Sequence, residues 1–192
     1  MQIIGTFGRG LGLNSDDVKL LDSTKAVVST DTDIYGGSPL ALAFVTIGGV
    51  VTPCVVSYNY LSAQSLTLNS PVYGLAKFNK NASQDDTSDS YGIYGASVGS
   101  AIQLGRVTLI NNVFRDNSTG TVTQVFAFDT TQTYTAMQKL YVNCDVNSAA
   151  FGKITNQVIS AVQADRNDNT FVGYVSAWYS SATQPVLEVL IK

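Results

Sequence analysis

Four short apolar runs in the last third of the sequence decide the fold: KLYVN (Lys139–Asn143), GKITN (Gly152–Asn156), TFVGYVSAW (Thr170–Trp178) and PVLEVLIK (Pro185–Lys192). Polar stretches rich in turn-forming residues separate these runs. Short apolar runs punctuated in this way are typical of antiparallel strands connected by turns.

The last of these runs has two distinct faces. In an extended chain, Leu187, Val189 and Ile191 fall on one face, and Glu188 falls on the other. One face therefore suits a core and the other suits solvent. Together with the turns, this alternation predicts an all-β fold, a small antiparallel barrel or sandwich in which a jelly roll is one of the topologies compatible with the strand pattern.

The composition indicates how large a core the chain can form and which residue types make up its surface. The chain has 192 residues, of which 45% are hydrophobic and only 13% are charged. About 25% charged residues is usual, so Ser, Thr, Asn and Gln must supply most of the polar surface. Such a surface is more typical of a subunit that stays in contact with neighbours than of a freely diffusing monomer, although an acidic extracellular β protein is an alternative.

Charge and residue types argue against several functions. The net charge is −3, and the 11 Lys and Arg residues form no run, so we expect no nucleic-acid partner. Histidine is absent, which removes the commonest general base and the commonest metal ligand. Glu188 is the only acid placed clearly in a predicted strand, and it has no identifiable partner across a cleft. We therefore predict that the protein is not an enzyme.

No cofactor or metal ion is expected either. The acidic loop with Asp85, Asp86 and Asp89 has oxygen ligands suited to Ca²⁺, as has the stretch Asp165–Asn169. Neither stretch matches a known ligand spacing, and Arg166 opposes a cation in the second. Solvated loops are the favoured interpretation of both.

No membrane partner is expected. The longest apolar stretch, ALAFVTIGGVVTPCVV, is interrupted by Gly48, Gly49 and Pro53, and it looks like two buried strands with a turn rather than a span. Gly48-Gly49 is a good signal for a two-residue hairpin.

The two cysteines, Cys54 and Cys144, allow one bridge by number, but we predict two buried free thiols.

The chain divides into an N-terminal part, residues 1–24, and a β domain, residues 25–192. The stretch NSDDVKLL (Asn14–Leu21) carries an N-cap signature followed by acids, which predicts a short helix. Two β modules, about residues 25–115 and 116–192, are an alternative organisation of the β domain.

Residues 1–13 form a glycine-punctuated arm that is apolar yet too short to bury its own side chains. We predict that it contacts a partner subunit, and an edge strand on its own barrel is the alternative. The predicted contact residues are Ile4, Phe7, Arg9, Leu11 and Leu13.

The ordered run YTAMQKLYVN…GKITN…FVGYVSAW…VLEVLI resembles the C-terminal barrel of head decoration proteins of tailed bacteriophages, also called structural cement proteins. The segment SPVYGLAKFN…YGIYGASVGSAIQLGRVTLINNVF also resembles phage head protein. Each motif carries little information alone, and the order and spacing of the motifs carry the resemblance. Together they cover about two thirds of the chain.

This resemblance implies a structural virion protein that binds the outer surface of the capsid where major capsid subunits meet and stabilises the head. It implies the major capsid protein and copies of the chain itself, as a homotrimer, as partners, with assembly in the host cytoplasm. A tail or fibre-attachment component is the alternative virion role. A carbohydrate-binding β module, favoured only by aromatic residues at strand ends, is a further alternative.

Overall fold

A computed structural model describes residues 14–21, 36–47, 49–58, 71–76, 98–115, 122–145, 147–157 and 170–191. Every element that lies whole within these ranges is a strand, which confirms the predicted all-β class. The strands are β1 (Asn14–Leu21), β2 (Pro39–Ile47), β3 (Val50–Ser57), β4 (Val72–Ala76), β5 (Val98–Leu109), β6 (Asn112–Arg115), β7 (Val122–Val125), β8 (Lys139–Val142), β9 (Ile154–Thr155), β10 (Phe171–Tyr179) and β11 (Val186–Ile191).

Nine of these strands form one barrel-like sheet in the order β1-β3-β2-β4-β5-β11-β10-β8-β9. β1 also pairs with β5, so β1, β3, β2, β4 and β5 close into a circle of strands. The remaining strands continue from the C-terminal half of β5, where Gly105–Leu109 pair with Leu187–Ile191. β6 and β7 form a separate antiparallel ribbon.

The four apolar runs in the last third of the chain form β8, β9, β10 and β11. In β11 the side chains of Leu187, Val189 and Ile191 are buried, whereas Glu188 is only partly covered. The predicted alternation is confirmed. The predicted hairpin is also confirmed, because β2 and β3 pair continuously from Leu40↔Ser57 to Ile47↔Val50 across a two-residue turn.

The helix predicted at Asn14–Leu21 is wrong, because this segment forms β1. It pairs antiparallel with β5 from Asn14↔Leu104 to Lys19↔Val98, and parallel with β3 at Leu20 and Leu21. A capping signature describes only local preference. Two strand edges that offer backbone hydrogen bonds along the whole segment outweigh that preference.

Consecutive residues are buried in three strands of the circle, Leu40 and Ala41 in β2, Leu75 and Ala76 in β4, and Ala101 and Ile102 in β5, so two apolar clusters are present. The smaller cluster contains Leu40, Val55, Ala76 and Ala101, with Tyr73 packed against it. The larger cluster continues from the other face of the same strands into the C-terminal strands. Its fully buried members include Ala41, Tyr58, Leu75, Ile102, Val107, Leu109, Phe128, Leu140, Val142, Ile154, Val175, Leu187 and Val189.

The ladder between β5 and β11 crosses the boundary between residues 25–115 and 116–192. Val107 and Leu109 on β5 lie in the same buried cluster as Leu187 and Val189 on β11. One sheet and one core therefore contain strands from both segments.

Tyr134 anchors the segment that leads into β8. Its hydroxyl donates a hydrogen bond to the carbonyl oxygen of Asp129 at 2.8 Å, and the carbonyl oxygen of Ile154 lies 3.3 Å from the same hydroxyl. The ring packs edge to face against Phe128 and Trp178, with centroids 6.3 and 5.1 Å away. The buried phenol thus satisfies the carbonyl group of Asp129, and the amide of Asp129 donates to the carbonyl of Ile154 at 2.8 Å, which helps to fix β9 against this segment.

Two glycines with positive φ differ in their surroundings, and the difference predicts unequal costs of substitution. At Gly173 (φ 154°) a Cβ would lie 2.1 Å from the carbonyl oxygen of Leu190, whereas at Gly49 (φ 84°) it would meet nothing within 4 Å. We expect Gly173→Ala to lower the free energy of unfolding by about 2–4 kcal/mol, from backbone strain and overpacking. Gly49→Ala should cost about 1 kcal/mol, from its backbone conformation alone. Equal losses in chemical denaturation would contradict the structure around Gly173.

Burial raises the pKa of both Tyr58 and Tyr134 above the ordinary value of 10.0, with Cys144 adding to the effect at Tyr58 and Asp129 at Tyr134. Folding therefore favours the neutral phenol. The contribution of these two tyrosines to stability should be constant below pH 10 and fall above it, because the unfolded chain ionises first. Each tyrosine contributes a slope of about 1.4 kcal/mol per pH unit.

Tyr134→Phe should remove one of these two contributions from the alkaline slope. It should also lower stability at neutral pH by about 1–2 kcal/mol, because the carbonyl oxygen of Asp129 loses its 2.8 Å hydrogen bond. Denaturation measured from pH 8 to pH 11.5 checks both effects. An alkaline slope unchanged by the substitution would show that Tyr134 does not titrate in this way.

Candidate interaction surface

The hairpin formed by β2 and β3 extends beyond the rest of the sheet. The ladder of β4 with β2 covers Pro39–Ala41, and the amide of Leu42 still donates to the carbonyl of Pro71 at 3.0 Å. The ladder of β1 with β3 covers only Val55 and Val56. The described ladders pair residues 43–47 with residues 50–54. We name these residues the projecting hairpin. It extends about 16 Å at ~3.3 Å per residue.

Large apolar side chains are exposed along the projecting hairpin. Phe44, Val50 and Val51 are 65%, 65% and 66% exposed. The sequence has no charged residue from Pro39 to Tyr58. An apolar surface without charge is unusual on a protein that stays alone in water, and it marks a site of contact with another molecule.

The exposed side chains lie on both faces of the projecting hairpin. Phe44 is paired with Pro53 and Thr46 with Val51, so Phe44, Thr46 and Val51 share one face. Val50 is paired with Ile47 and lies on the opposite face. An antiparallel strand with one face on its own core should expose polar residues on the other. The projecting hairpin has apolar residues on both faces, so its own core does not explain its composition.

The prediction that this stretch forms two buried strands is therefore only partly correct. The turn and both strands are present, and Leu40, Ala41 and Val55 at the base are buried. The tip is exposed instead, because the neighbouring strands β4 and β1 leave the hairpin before its end. The absence of charge over this stretch was the available sequence signal, but buried strands carry the same signal.

Other large apolar side chains are exposed singly. Leu104 on β5, Met137 before β8 and Tyr179 at the end of β10 are 48%, 70% and 56% exposed. Met137 also has a positive φ of 65°, and its amide donates to the carbonyl of Val175 at 2.8 Å. Single exposed apolar residues are common on protein surfaces and do not define a site.

Glu188 is engaged in an ion pair with Arg106 on the polar side of β5 and β11. Arg106 Nε donates to Glu188 Oε2 at 2.9 Å, and the Arg106 Nη2 group donates to the same oxygen. The glutamate side chain is 12% exposed and the arginine side chain is 41% exposed. Glu188, the only acid that the sequence places clearly in a predicted strand, thus pairs with a cation across the ladder.

The predicted contact residues Ile4, Phe7, Arg9, Leu11 and Leu13 lie outside the described residues. The two acidic stretches, Asp85–Asp89 and Asp165–Asn169, also lie outside them. Cys144 is buried and forms no disulfide, as predicted, and its thiol donates to the carbonyl oxygen of Val142 at 3.6 Å. The side chain of Cys54 is not among those described.

No group of three or more His, Cys, Asp or Glu side chains that would suit a metal ion occurs in the described ranges. No helix within those ranges is both long and apolar enough to cross a bilayer.

Comparison with known proteins adds no family: no family model matches the chain, and neither a curated protein nor a solved structure matches it significantly.

Replacing both Val50 and Val51 with Ser should leave the free energy of unfolding within about 0.5 kcal/mol of the starting protein, because exposed side chains contribute little to the folded state. The matched control is Val55→Ser on the same strand, where the side chain is 1% exposed. At that position the substitution replaces the apolar contacts of valine with a buried hydroxyl, and it should lower the free energy of unfolding by about 2–3 kcal/mol. Urea denaturation checks both, and a large loss in the double variant would mean that the tip is packed.

Proposed function

We propose that this protein is a structural virion protein that decorates the outer surface of a phage capsid and stabilises the head. The projecting hairpin is the observation that carries the proposal. A decoration protein needs a firm body and an apolar element that reaches into a neighbouring protein surface. The circle of strands with its two apolar clusters provides such a body. The tip of the projecting hairpin, which carries no charge, provides such an apolar element.

The energetics of the tip favour insertion between protein subunits. Burying Phe44, Val50 and Val51 would stabilise a complex by about 1.5–3 kcal/mol each, before the cost of association. These three side chains keep roughly two thirds of their surface in the single chain, so most of this free energy is still available. A junction between capsid subunits offers a groove lined by protein, which matches a tip without charge.

The proposed partners are the major capsid protein and other copies of this chain, assembled as a homotrimer. The proposed location is the outside of the capsid, after assembly in the host cytoplasm. A net charge of −3 and scattered basic residues agree with a position away from the packaged nucleic acid. The proposed action is mechanical, because added contacts across a subunit junction resist internal pressure.

The variant with Val50→Ser and Val51→Ser tests this proposal. Its occupancy on capsids should fall at least about tenfold, because the loss of two apolar contacts removes some 2–4 kcal/mol of binding free energy. Virions produced without the protein are incubated with purified wild-type or variant chain, and bound protein is measured by sedimentation and by electron microscopy of the shell.

The control for that experiment is Tyr179→Ser, which removes an exposed apolar side chain away from the projecting hairpin. It should bind the shell like the wild type. Density on the tail instead of the shell would support a tail or fibre-attachment role and reject the proposal. Wild-type protein that binds neither structure would reject both virion roles.

A further inference from the structure

The outer face of the C-terminal strands carries three aromatic side chains in contact with one another. Tyr141 on β8 lies opposite Phe171 on β10, with ring centroids 5.9 Å apart, and the Tyr174 ring lies 5.3 Å from the Phe171 ring. All three are partly exposed, and none belongs to either apolar cluster of the described residues. We name these three residues the aromatic strip. Packing of the core does not account for it.

A β-bulge in β10 builds the aromatic strip. In a regular strand, residues three apart, such as Phe171 and Tyr174, lie on opposite faces. Here the register with β8 shifts between Phe171 and Gly173, so Val172 is an additional residue. Val172 and Gly173 are both buried, and the two aromatic residues beside them both lie on the outer face. Bulges often redirect side chains next to functional sites. This bulge brings together rings that a regular strand would separate.

A row of side chains that includes Tyr174 has a cation at each end. Lys139 on β8 pairs with Tyr174, Tyr174 with Leu190 on β11, and Leu190 with Arg106 on β5. Residues paired across strands share a face of the sheet. Neighbouring strands are ~4.8 Å apart, so three spacings place the two cationic residues on strands roughly 14 Å apart.

The two cations differ in how they are held. Lys139 is exposed and forms no ion pair with a described residue. Arg106 is 41% exposed, and its Nε and Nη2 groups donate to Glu188, whose side chain is 12% exposed. The pair fixes the guanidinium plane, and no described residue accepts a hydrogen bond from Nη1. Two cations against one acid make this face complementary to an anionic ligand.

The size of the face selects a small ligand. Phe171 to Tyr174 covers about 10 Å along the strand, which with the width of the row gives about 140 Å². A stable contact with a folded protein buries about 800 Å² on each partner. The neighbouring rings are inclined by 61° and 75°, so each ring edge packs on the next ring face. Rings fixed in this way lose little conformational entropy when a ligand binds.

A saccharide with carboxylate groups matches each part of this face. The C–H groups of a pyranose ring are attracted to the electron-rich face of an aromatic ring, and tyrosine hydroxyls exchange hydrogen bonds with sugar hydroxyls. Carboxylates pair with Lys139 and Arg106. Single-stranded nucleic acid also combines stacking with cations, but it needs a positively charged groove along its backbone. Two cations on a chain of net charge −3 do not supply one.

We propose that the aromatic strip, together with Lys139 and Arg106, binds an acidic oligosaccharide, a linear chain of uronic acid rings. Successive rings of such a chain each carry a carboxylate, which suits cations at both ends of the row. The binding face lies on β8, β10, β11 and β5, whereas the projecting hairpin belongs to β2 and β3. The inference therefore goes beyond the proposed capsid role and does not depend on it.

Isothermal titration calorimetry of the full chain with tetragalacturonate tests the inference. The fully methyl-esterified tetrasaccharide has the same rings without charge and should bind at least about tenfold more weakly. Tyr174→Ala should also weaken binding of the acid form about tenfold, because it removes the central ring of the row. Tyr179→Ala, at the exposed end of the same strand, should bind like the wild type. Circular dichroism and thermal melting establish that each variant is folded.

Lys139 offers a second test in which the fold is not at risk, because its side chain is exposed. Lys139→Gln should weaken binding of tetragalacturonate about fivefold, whereas Lys139→Arg, which keeps the charge, should bind within about twofold of the wild type. Added salt should narrow the difference between Lys139→Gln and the wild type, because exposed charges are screened. The methyl-esterified probe should not distinguish the variants.

Four results would overturn the inference. The first is a wild-type protein that does not bind tetragalacturonate. The second is equally tight binding of tetraglutamate, which would show that charge alone is recognised. The third is tighter binding of an oligothymidylate, which would assign the face to nucleic acid. The fourth is a folded Tyr174→Ala variant that binds like the wild type. All are measured without capsids, so failure of capsid binding is a separate result.

Discussion

The ladder between β5 and β11 is the contact on which the rest of the structure depends. β5 has 12 residues, enough to serve two sets of neighbours: its first half pairs with β1 and β4, and its second half pairs with β11. Val107 and Val189 face each other across this ladder and are fully buried. Without the ladder, the strand circle and the C-terminal strands would each expose one side of a shared core.

Burial on both faces explains why β2 and β4 lack a clear alternation where they pair with each other. Leu40 and Ala41 are consecutive in β2, and Leu75 and Ala76 are consecutive in β4, yet all four are buried. Each consecutive pair contributes one side chain to each apolar cluster. Small alanines recur at these positions because two layers of side chains must fit around one strand. The same requirement does not apply at the tip of the projecting hairpin, where neighbouring strands have ended.

The sequence was most informative where a strand faces the core on one side only. The alternation in β11 predicted its buried residues correctly, and the Gly48-Gly49 pair predicted the hairpin. The prediction was wrong at Asn14–Leu21, because the strands that pair with β1 are distant in sequence. The residues of β1 themselves carry no pattern that identifies those partners. It also missed the exposure of the projecting hairpin, since an apolar run has the same composition whether the fold covers it or leaves it uncovered.

The spacing of contacts along the chain also sets the order in which the fold can form. The hairpin of β2 and β3 closes across two residues, and such hairpins form in about 1–10 μs. The ladder that unites the core places Arg106 in an ion pair with Glu188, 82 residues away, and non-local sheets form on a timescale of about milliseconds to seconds. The uncharged hairpin can therefore close while the core is still open. Association through its exposed tip, proposed above, would then compete with folding, and the outcome would depend on the concentration at which newly made chains meet one another.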